Sequence, residues 1–443
     1  MTPGTDRTLS QPNGESVNSL RSERRYRFLV TGYAISSYGT FLNMVALNLF
    51  VYETTGRALA MGVFMAVRLA SGFAAGLTAG ALLARFTAKG VMLWTNIAQA
   101  AVMLLLVLAP DGLRTTALVA VSVVVGSCGT LFMVSLRSSI PEMVGEDRRS
   151  WANSLSITGR SMAMVAGFAS AGVVVSLVGY TAAFVVDTAT FVVCAATVAL
   201  LAVPGGGTGL RGGEPAAVSG AGPAAQESEA RAAGRRRPVA LAALAAAPGL
   251  GLMVALRGVD ALGSSSHNAA LPVHSSRLDA SHPAVFVSAF WCLWALGNII
   301  AQQVIQRYAR RTGRSVGALG FGVGTCFMSA AFILAFAGFP LVATAGIALV
   351  AGAADGLTEV SYTSHLQTLP AGLRAHAFGL SATVENLGFG AGMILVAAAL
   401  DHYSPLTVVG WSHGAALVVA AVFLIRVAGP RGAPAGASGP SSR

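Results

Sequence analysis

The chain has 443 residues, of which 54% are hydrophobic and only 11% are charged, and its formal net charge is +11. Soluble domains carry roughly 25% charged residues, so this composition excludes an ordinary soluble protein and predicts a membrane protein. The basic residues are spread along the chain and form no single patch, which argues against a nucleic-acid partner and favours inner loops that face a lipid bilayer.

Apolar segments long enough to cross a membrane recur along the chain, since about 20 helical residues span roughly 30 Å of hydrocarbon. We identify twelve of them, at residues 28–52, 58–83, 90–110, 115–136, 152–176, 180–203, 249–272, 284–306, 315–337, 340–364, 377–400 and 406–427. The sequence therefore predicts an all-α membrane protein with twelve transmembrane helices.

The orientation follows from the basic residues. The 27 residues before the first apolar segment are polar, end in RSERRYR and lack the pattern of a cleavable signal peptide. With this end inside the cell, 23 of the 29 Lys and Arg residues fall in cytoplasmic segments, where positive flanking residues belong. Both termini are therefore predicted to be cytoplasmic. A single Lys beside 28 Arg suggests a high-GC bacterial source and hence the plasma (inner) membrane.

One polar stretch divides the chain. Residues 204–239 are mainly Gly, Ala, Pro, Ser and charged residues, which cannot bury a core and predict a flexible cytoplasmic linker. The predicted domains are a tail, a six-helix half, this linker, a second six-helix half and a second tail, at 1–27, 28–203, 204–239, 240–427 and 428–443.

An internal repeat supports the two halves. Predicted helix five begins LSITGRSMAMVAG at Leu155, and predicted helix eleven begins LSATVENLGFGAG at Leu380. The two segments share five identical residues at a constant offset of 225, which also places Arg160 opposite Glu385. Such self-similarity predicts two six-helix pseudo-repeats.

Three motifs carry a resemblance to a known family. They are RSSIPEMVGEDRRSWANSLS at 137–156, FVVDTATFVV at 184–193 and LQTLPAGLRAHAFGL at 366–380. The chain resembles the major facilitator superfamily over 28–427, and within it the drug exporters that include macrolide efflux proteins and enterobactin exporters. The resemblance implies the major facilitator fold, alternating access and proton-driven export of a small amphipathic molecule by a monomer.

Other signatures of such exporters are altered. GALLAR keeps Gly80 and Arg85 as relics of a gating loop, but Ala84 occupies the acidic position. Helix three has Asn96 and Gln99 where relatives often carry Asp and Arg, and helix five has Gly167-Phe168 where Gly-Pro is expected. Losing a buried ion-pair network as a unit costs less than losing one partner. These signatures therefore do not by themselves predict proton coupling.

Charged residues inside the predicted helices are the main functional candidates, because each costs roughly 2.5–3.5 kcal/mol in the membrane unless it is paired or hydrated. Seven lie on helices that line the central space in the implied fold, and these are the predicted substrate or proton-coupling residues. They are Arg68, Arg160, Arg257, Asp260, Asp355, Glu359 and Glu385. An eighth, Asp187, lies on a peripheral helix within a family motif and is interpreted as structural.

Each charged group has two open interpretations. Arg257 and Asp260 are three residues apart on one helix face and either neutralise each other or contact substrate. Asp355 and Glu359 are four residues apart and therefore share one helix face. Either their mutual repulsion makes one carboxyl a proton carrier, or each carboxylate pairs with an arginine, Arg68 or Arg257.

The repeat suggests a further pair. Arg160 and Glu385 form either a bridge that substrate or proton breaks, or a static bridge between helices.

Further polar residues could line a cavity. They are Asn43, His267, Asn268 and Gln302, and His267 is interpreted as a hydrogen-bonded wall residue or a proton relay. The spacings Gly388-Gly392 and Gly72-Gly76-Gly80 predict close helix packing.

The four cysteines are isolated from one another and show no metal or redox spacing. The sequence also leads us to expect no metal, no cofactor and no catalytic residue.

The function predicted from these residues is secondary active export of an antibiotic, siderophore or similar small molecule by proton antiport. Charges of both signs favour a zwitterionic or amphiphilic cargo. Uptake or facilitated diffusion is the main alternative, since direction depends on coupling rather than on fold. A sensor without flux is a second alternative. The outward loop HSSRLD at 274–279 fits a loose acyltransferase spacing, but its position away from cytoplasmic acyl donors argues against an enzyme.

Overall fold

Twelve long α-helices form the described part of the chain. The computed structural model describes residues 13–201, 248–314, 316–369 and 371–428, and within them there is no β-strand. The first six helices are α1 Asn13–Thr55, α2 Ala58–Arg85, α3 Ala88–Leu108, α4 Arg114–Val144, α5 Arg149–Val178 and α6 Tyr180–Leu200. The other six are α7 Pro248–Leu278, α8 Pro283–Thr312, α9 Gly317–Ala335, α10 Leu341–Gln367, α11 Ala371–Leu400 and α12 Pro405–Ala428. The predicted all-α fold is confirmed.

Eleven of these helices are long and apolar enough to cross a membrane. The exception among the described helices is α7, whose length suffices but whose polar residues, from Arg257 through the run SSSHN at 264–268, lower its hydropathy. α1 begins at Asn13, well before the first predicted span, so its polar residues up to Arg27 are helical. The predicted linker at 204–239 lies outside the described residues, as do 1–12 and 429–443.

Local chemistry sets several helix ends. α4 and α5 end at Gly145 and Gly179, whose φ angles of 77° and 97° are readily adopted only by glycine. The Thr87 hydroxyl oxygen accepts the Gly90 N–H at 3.1 Å and caps the start of α3. The only lysine of the chain, Lys89, donates from Nζ to the carbonyl of Leu201 at 2.6 Å and so fixes the end of α6.

The helices group into two compact units. The larger unit contains α1–α6 together with residues 269–295 and 393–402. Within it α4 packs on α2 and α3, and α6 packs on α1 and α3. The end of α11 also belongs to this unit, since the Asp401 carboxylate accepts the Ala58 N–H at 2.9 Å and caps α2. The predicted half boundaries stay a prediction.

The smaller unit contains the described residues of 248–268, 296–392 and 403–428. Within it α9 packs on α10 and α12, just as α3 packs on α4 and α6 in the larger unit, so the same packing recurs six helices later.

One hydrogen bond also recurs at the repeat offset. Ser156 in α5 and Ser381 in α11 occupy equivalent repeat positions, and each bonds a tyrosine hydroxyl. The Tyr26 hydroxyl lies 2.7 Å from Ser156 Oγ, and the Tyr362 hydroxyl donates to Ser381 Oγ at 2.6 Å. Each bond ties the first half of its helix to a neighbouring helix of the same unit.

α7 and α11 approach each other closely through glycine. A Cβ added at Gly388 would lie 2.5 Å from the carbonyl oxygen of Gly258, and one added at Gly392 would lie 3.0 Å from Cβ of Ser265. Small residues let helix backbones approach to this extent in membranes. The close approach brings the side chains of α7 within reach of those on α11.

This packing predicts a stability difference between two matched variants. Gly388→Ala should lower the free energy of unfolding by about 1–3 kcal/mol, because the added methyl overlaps the Gly258 carbonyl. Gly410→Ala in α12 is the control, since a Cβ there meets nothing within 4 Å. Thermal unfolding of both purified variants in detergent measures the effect. Equal midpoints would contradict close packing of α7 on α11.

Candidate functional site

One guanidinium in the smaller unit joins acids from three helices. Arg257 Nη2 on α7 lies 2.7 Å from Glu359 Oε2 on α10 and 3.0 Å from Glu385 Oε1 on α11. Its Nε also donates to Glu385 Oε2 at 3.2 Å, so the pair with Glu385 is bidentate. Asp260, one turn further along α7, lies 3.7 Å from Nη1.

A tyrosine supports the same guanidinium. Arg257 Cζ lies 5.2 Å from the ring centre of Tyr362, within the range of a cation–π interaction. Tyr362 is one turn after Glu359 on α10, and its hydroxyl bond to Ser381 holds the ring in place. The ring and the acids therefore fix the position of the guanidinium together.

Amides from α8 extend the site to Asp355. Asn298 Nδ2 donates to Asp355 Oδ2 at 2.7 Å, and Gln302 Nε2 donates to Asn298 Oδ1 at 2.6 Å. Gln302, predicted as a cavity residue, thus reaches the acid only through Asn298. The sequence analysis missed Asn298, although its position four residues before Gln302 puts both on one face of α8.

We call Asp260, Asp355, Glu359 and Glu385 the carboxylate cluster. With all four ionised, the cluster and Arg257 together carry three excess negative charges. Asp260 Oδ1 is buried and has no hydrogen-bond partner among the described residues. Like charges in a poorly solvated site repel one another strongly. Uptake of protons or of a cation would reduce this repulsion.

Exposure differs sharply within this group. The side chains of Arg257 and Asp260 are 11% and 5% exposed, whereas those of Glu359 and Glu385 are 49% and 43% exposed. Charged groups in the interior of membrane helices face water or protein rather than lipid. Glu359 and Glu385 therefore offer the accessible edge of the site, and Asp260 lies behind it.

The larger unit has a separate buried acid. Asn43 Nδ2 on α1 donates to Asp187 Oδ2 on α6 at 2.6 Å, so Asn43, predicted to line a cavity, is buried against a carboxylate. The remaining side-chain oxygens of both residues are buried and have no hydrogen-bond partner among the described residues. Arg68 interacts electrostatically with Asp187 but forms no salt bridge within the described part of the chain.

Arg160 contacts an aromatic ring within its own unit. Its guanidinium lies over the ring of Phe41 at 4.9 Å from the centroid, on an exposed face of α5. Glu385 is engaged by Arg257 of its own unit. The predicted bridge between Arg160 and Glu385 stays a prediction.

The altered signature positions are satisfied locally. Asn96 donates to the Met92 carbonyl at 2.8 Å and Gln99 to the Thr95 carbonyl at 3.1 Å, so both buried amides bond within α3. At Gly167 an added Cβ would lie 2.7 Å from the Tyr38 carbonyl oxygen, so α5 crosses α1 closely there. Gly80 is half-buried near the end of α2, and Arg85 is its exposed last residue.

Two other predicted polar residues are paired inside the protein. His267 Nδ1 lies 3.1 Å from His413 Nε2 on α12, and Asn268 donates to the Ser264 carbonyl at 2.8 Å. The sequence analysis missed His413. Within the described residues, no group of three or more His, Cys, Asp or Glu side chains could hold a metal ion.

Asp279, the acid of the loop motif HSSRLD, has a structural role. Asp279 Oδ1 accepts hydrogen bonds from the side chain and backbone of Ser281 and from the His282 N–H. The Ser281 hydroxyl first, and the backbone N–H groups after it, hold the pKa of the Asp279 carboxyl below its usual value. The carboxylate therefore caps the turn between α7 and α8.

The sequence model described as Major Facilitator Superfamily matches residues 29–393. The chain belongs to the major facilitator superfamily. It is therefore a multi-pass membrane transporter and not an enzyme. No curated protein sequence gives a significant match.

Solved structures share the fold of this superfamily member at low sequence identity. The peptide transporter POT in complex with sulfate is similar with a TM-score of 0.66 and 16% identity over 91% of this chain and 94% of that chain. A variant of the nucleoside transporter NupG gives 0.63 and 14%, over 91% and 99%. A bacterial homologue of the human lysosomal transporter Spinster, inward-facing and unoccupied, gives 0.61 and 14%, over 95% and 96%.

Removal of the central guanidinium should destabilise the fold in a pH-dependent way. Arg257→Gln strands the buried Asp260 and its neighbours and should cost about 3–5 kcal/mol at pH 7.5. Proton uptake by the buried Asp260 reduces this repulsion, so the deficit should shrink at pH 5. The exposed Arg307→Gln is the control. Thermal unfolding at both pH values measures the loss of stability relative to wild type. A loss in Arg257→Gln that is the same at both pH values would show that repulsion among the acids does not cause it.

Proposed function

We propose that this protein is a secondary active exporter of a small amphipathic molecule with a cationic group, such as an antibiotic, a siderophore or another secondary metabolite. It works by proton antiport with alternating access, as a monomer in a bacterial plasma membrane with both termini in the cytoplasm. The observation that carries the proposal is the excess of carboxylates over guanidinium groups around Arg257.

Competition between protons and cargo for the carboxylate cluster determines that the coupling is antiport rather than symport. Protons and a cationic cargo neutralise carboxylates of the same cluster, so the binding of one favours release of the other. Exclusive occupancy by two ligands is the requirement for exchange across a membrane, whereas symport requires both to be bound at once. With the proton gradient directed inward, exchange expels the cargo.

The residues take different roles in this scheme. Glu359 and Glu385 are accessible and would contact the cationic group of the cargo. Asp355, oriented by Asn298, and the buried Asp260 would hold protons behind them. Because Arg257 is shared among the acids, uptake of a proton or cargo by one acid leaves the guanidinium to the others.

Direction separates this proposal from its main alternative. The motifs at 137–156, 184–193 and 366–380 support the drug exporter branch. The similar solved structures include peptide and nucleoside transporters, but at 14% to 16% identity their likeness bears on fold alone. Uptake by symport is therefore tested directly rather than argued from likeness.

Transport into proteoliposomes distinguishes antiport from symport. The probes are ethidium and erythromycin, which are amphipathic cations, and the anionic siderophore enterobactin. An acidic lumen should drive accumulation of a cationic probe, and a protonophore should abolish it, because antiport exchanges outgoing protons for incoming cargo. Accumulation driven by an acidic exterior would indicate symport and contradict the proposal. Binding without flux would favour a sensor.

Neutral variants test whether the acids of the carboxylate cluster take part in transport. Glu385→Gln and Asp355→Asn should each slow uptake driven by an acidic lumen about 100-fold or more, since the first removes a carboxylate that contacts the cargo and the second removes one that holds a proton. Glu142→Gln, on an exposed part of α4, is the matched control and should retain the rate. Unchanged rates in Glu385→Gln and Asp355→Asn would remove the cluster from the coupling mechanism.

A further inference from the structure

A second chain of titratable groups lies in the smaller unit, apart from the carboxylate cluster. His267 Nδ1 on α7 lies 3.1 Å from His413 Nε2 on α12, and His413 Nδ1 lies 3.2 Å from Ser329 Oγ on α9. All three side chains are buried, at 5% exposure or less. Three groups from three helices thus form one continuous hydrogen-bonded chain.

The surrounding packing holds the two rings in register. Phe332 stacks on His267 with a centroid distance of 3.5 Å and an interplanar angle of 4°, and it also stacks on His413 at 5.3 Å. Gly263 gives the second ring its place, since a Cβ there would lie 3.1 Å from His413 Cε1. If His267 only lined the wall of a cavity, it would require neither a second histidine nor the space that Gly263 leaves for that ring.

The geometry couples the tautomers of the two rings. Between His267 Nδ1 and His413 Nε2 there is room for one proton, so a donor on one ring requires an acceptor on the other. The same condition applies between His413 Nδ1 and Ser329 Oγ. A proton that enters at the serine can therefore displace one proton along each bond and release one from His267.

The chain leads toward the carboxylate cluster along one stripe of α7. Ser264 is one turn before His267, and Asp260 is one turn before Ser264, so the three share a face in steps of about 5–6 Å between Cβ atoms. Asp260 Oδ1 is buried there with no hydrogen-bond partner among the described residues. Proton transfer over these steps requires one bridging water per step.

We propose that Ser329, His413 and His267 form a proton relay that delivers protons to Asp260 of the carboxylate cluster. The inference rests on the proposed proton antiport and adds its proton pathway. In each passage Ser329 Oγ accepts one proton and passes its own to His413 Nδ1. His413 Nε2 then passes its proton to His267 Nδ1, and His267 Nε2 releases one toward Asp260. Each passage leaves the proton of both rings on Nδ1, and it must return to Nε2 before the next passage.

Few other titratable groups face the relay from the helices packed against it. On α7 these are Asp260 and Arg257 on the cluster side of His267, and His274 and Arg277 beyond it. On α9 the nearest is Cys326, one turn from Ser329, and on α12 the described residues add only Arg426, near the end of the helix. The relay therefore carries protons through an otherwise uncharged part of the smaller unit.

Two transport modes in proteoliposomes test the relay with ethidium as the probe. Uptake driven by an acidic lumen requires net proton movement, whereas counterflow of ethidium against preloaded ethidium does not. His413→Gln should slow the driven uptake about 100-fold or more, since glutamine can hydrogen-bond but cannot pass a proton on. Counterflow in the same variant should stay within twofold of wild type. Ser329→Ala should show the same split.

The control for the substitution is His402→Gln, at an exposed site after α11, which should leave both modes unchanged. Loss of driven uptake with retained counterflow supports the relay. Retention of both modes in His413→Gln, or equal loss of both, would overturn it and leave the histidine pair a packing element. Failure of wild type to move ethidium or any other probe would overturn the proposed function, and the inference with it.

Discussion

The guanidinium of Arg257 is outnumbered by the carboxylates that it holds, and this imbalance constrains the whole smaller unit. α7, α10 and α11 each bring an acid to the same group, so the position of each helix depends on the others. A buried pair that balanced its charges would be a static link. In the proposed function, the unbalanced cluster binds protons and the cationic group of the cargo in turn.

The packing of the unit makes this cluster possible. Gly388 and Gly392 bring α11 against α7, and this closeness lets both oxygens of Glu385 reach one guanidinium. The polar residues that this arrangement needs also explain why α7 falls below the apolarity of the other described helices. The cost of a polar helix in the membrane is offset because its charged and hydroxyl groups bond inside the protein.

The sequence predicts the helices well because hydrophobic length is a local property, and the spacing of Asp355 and Glu359 predicts their shared face for the same reason. It cannot say which helices become neighbours. The repeat offset therefore suggested Arg160 as a partner of Glu385, but it gave no sign that Arg257 of the same unit engages Glu385. The spacing of Asn298 and Gln302 indicates only a shared face of α8, and neither Asn298 nor His413 shows in the sequence which partner far along the chain it will bond.

The proposed function requires Asp260 or Asp355 to hold a proton, because one guanidinium cannot balance the four acids of the carboxylate cluster. Infrared spectroscopy of the purified protein in lipid at pH 7 tests it most directly, since a protonated carboxyl has its own carbonyl absorption. The difference between wild type and the double variant Asp260→Asn, Asp355→Asn should contain that absorption. Its absence, with both acids fully ionised in wild type, would contradict the account.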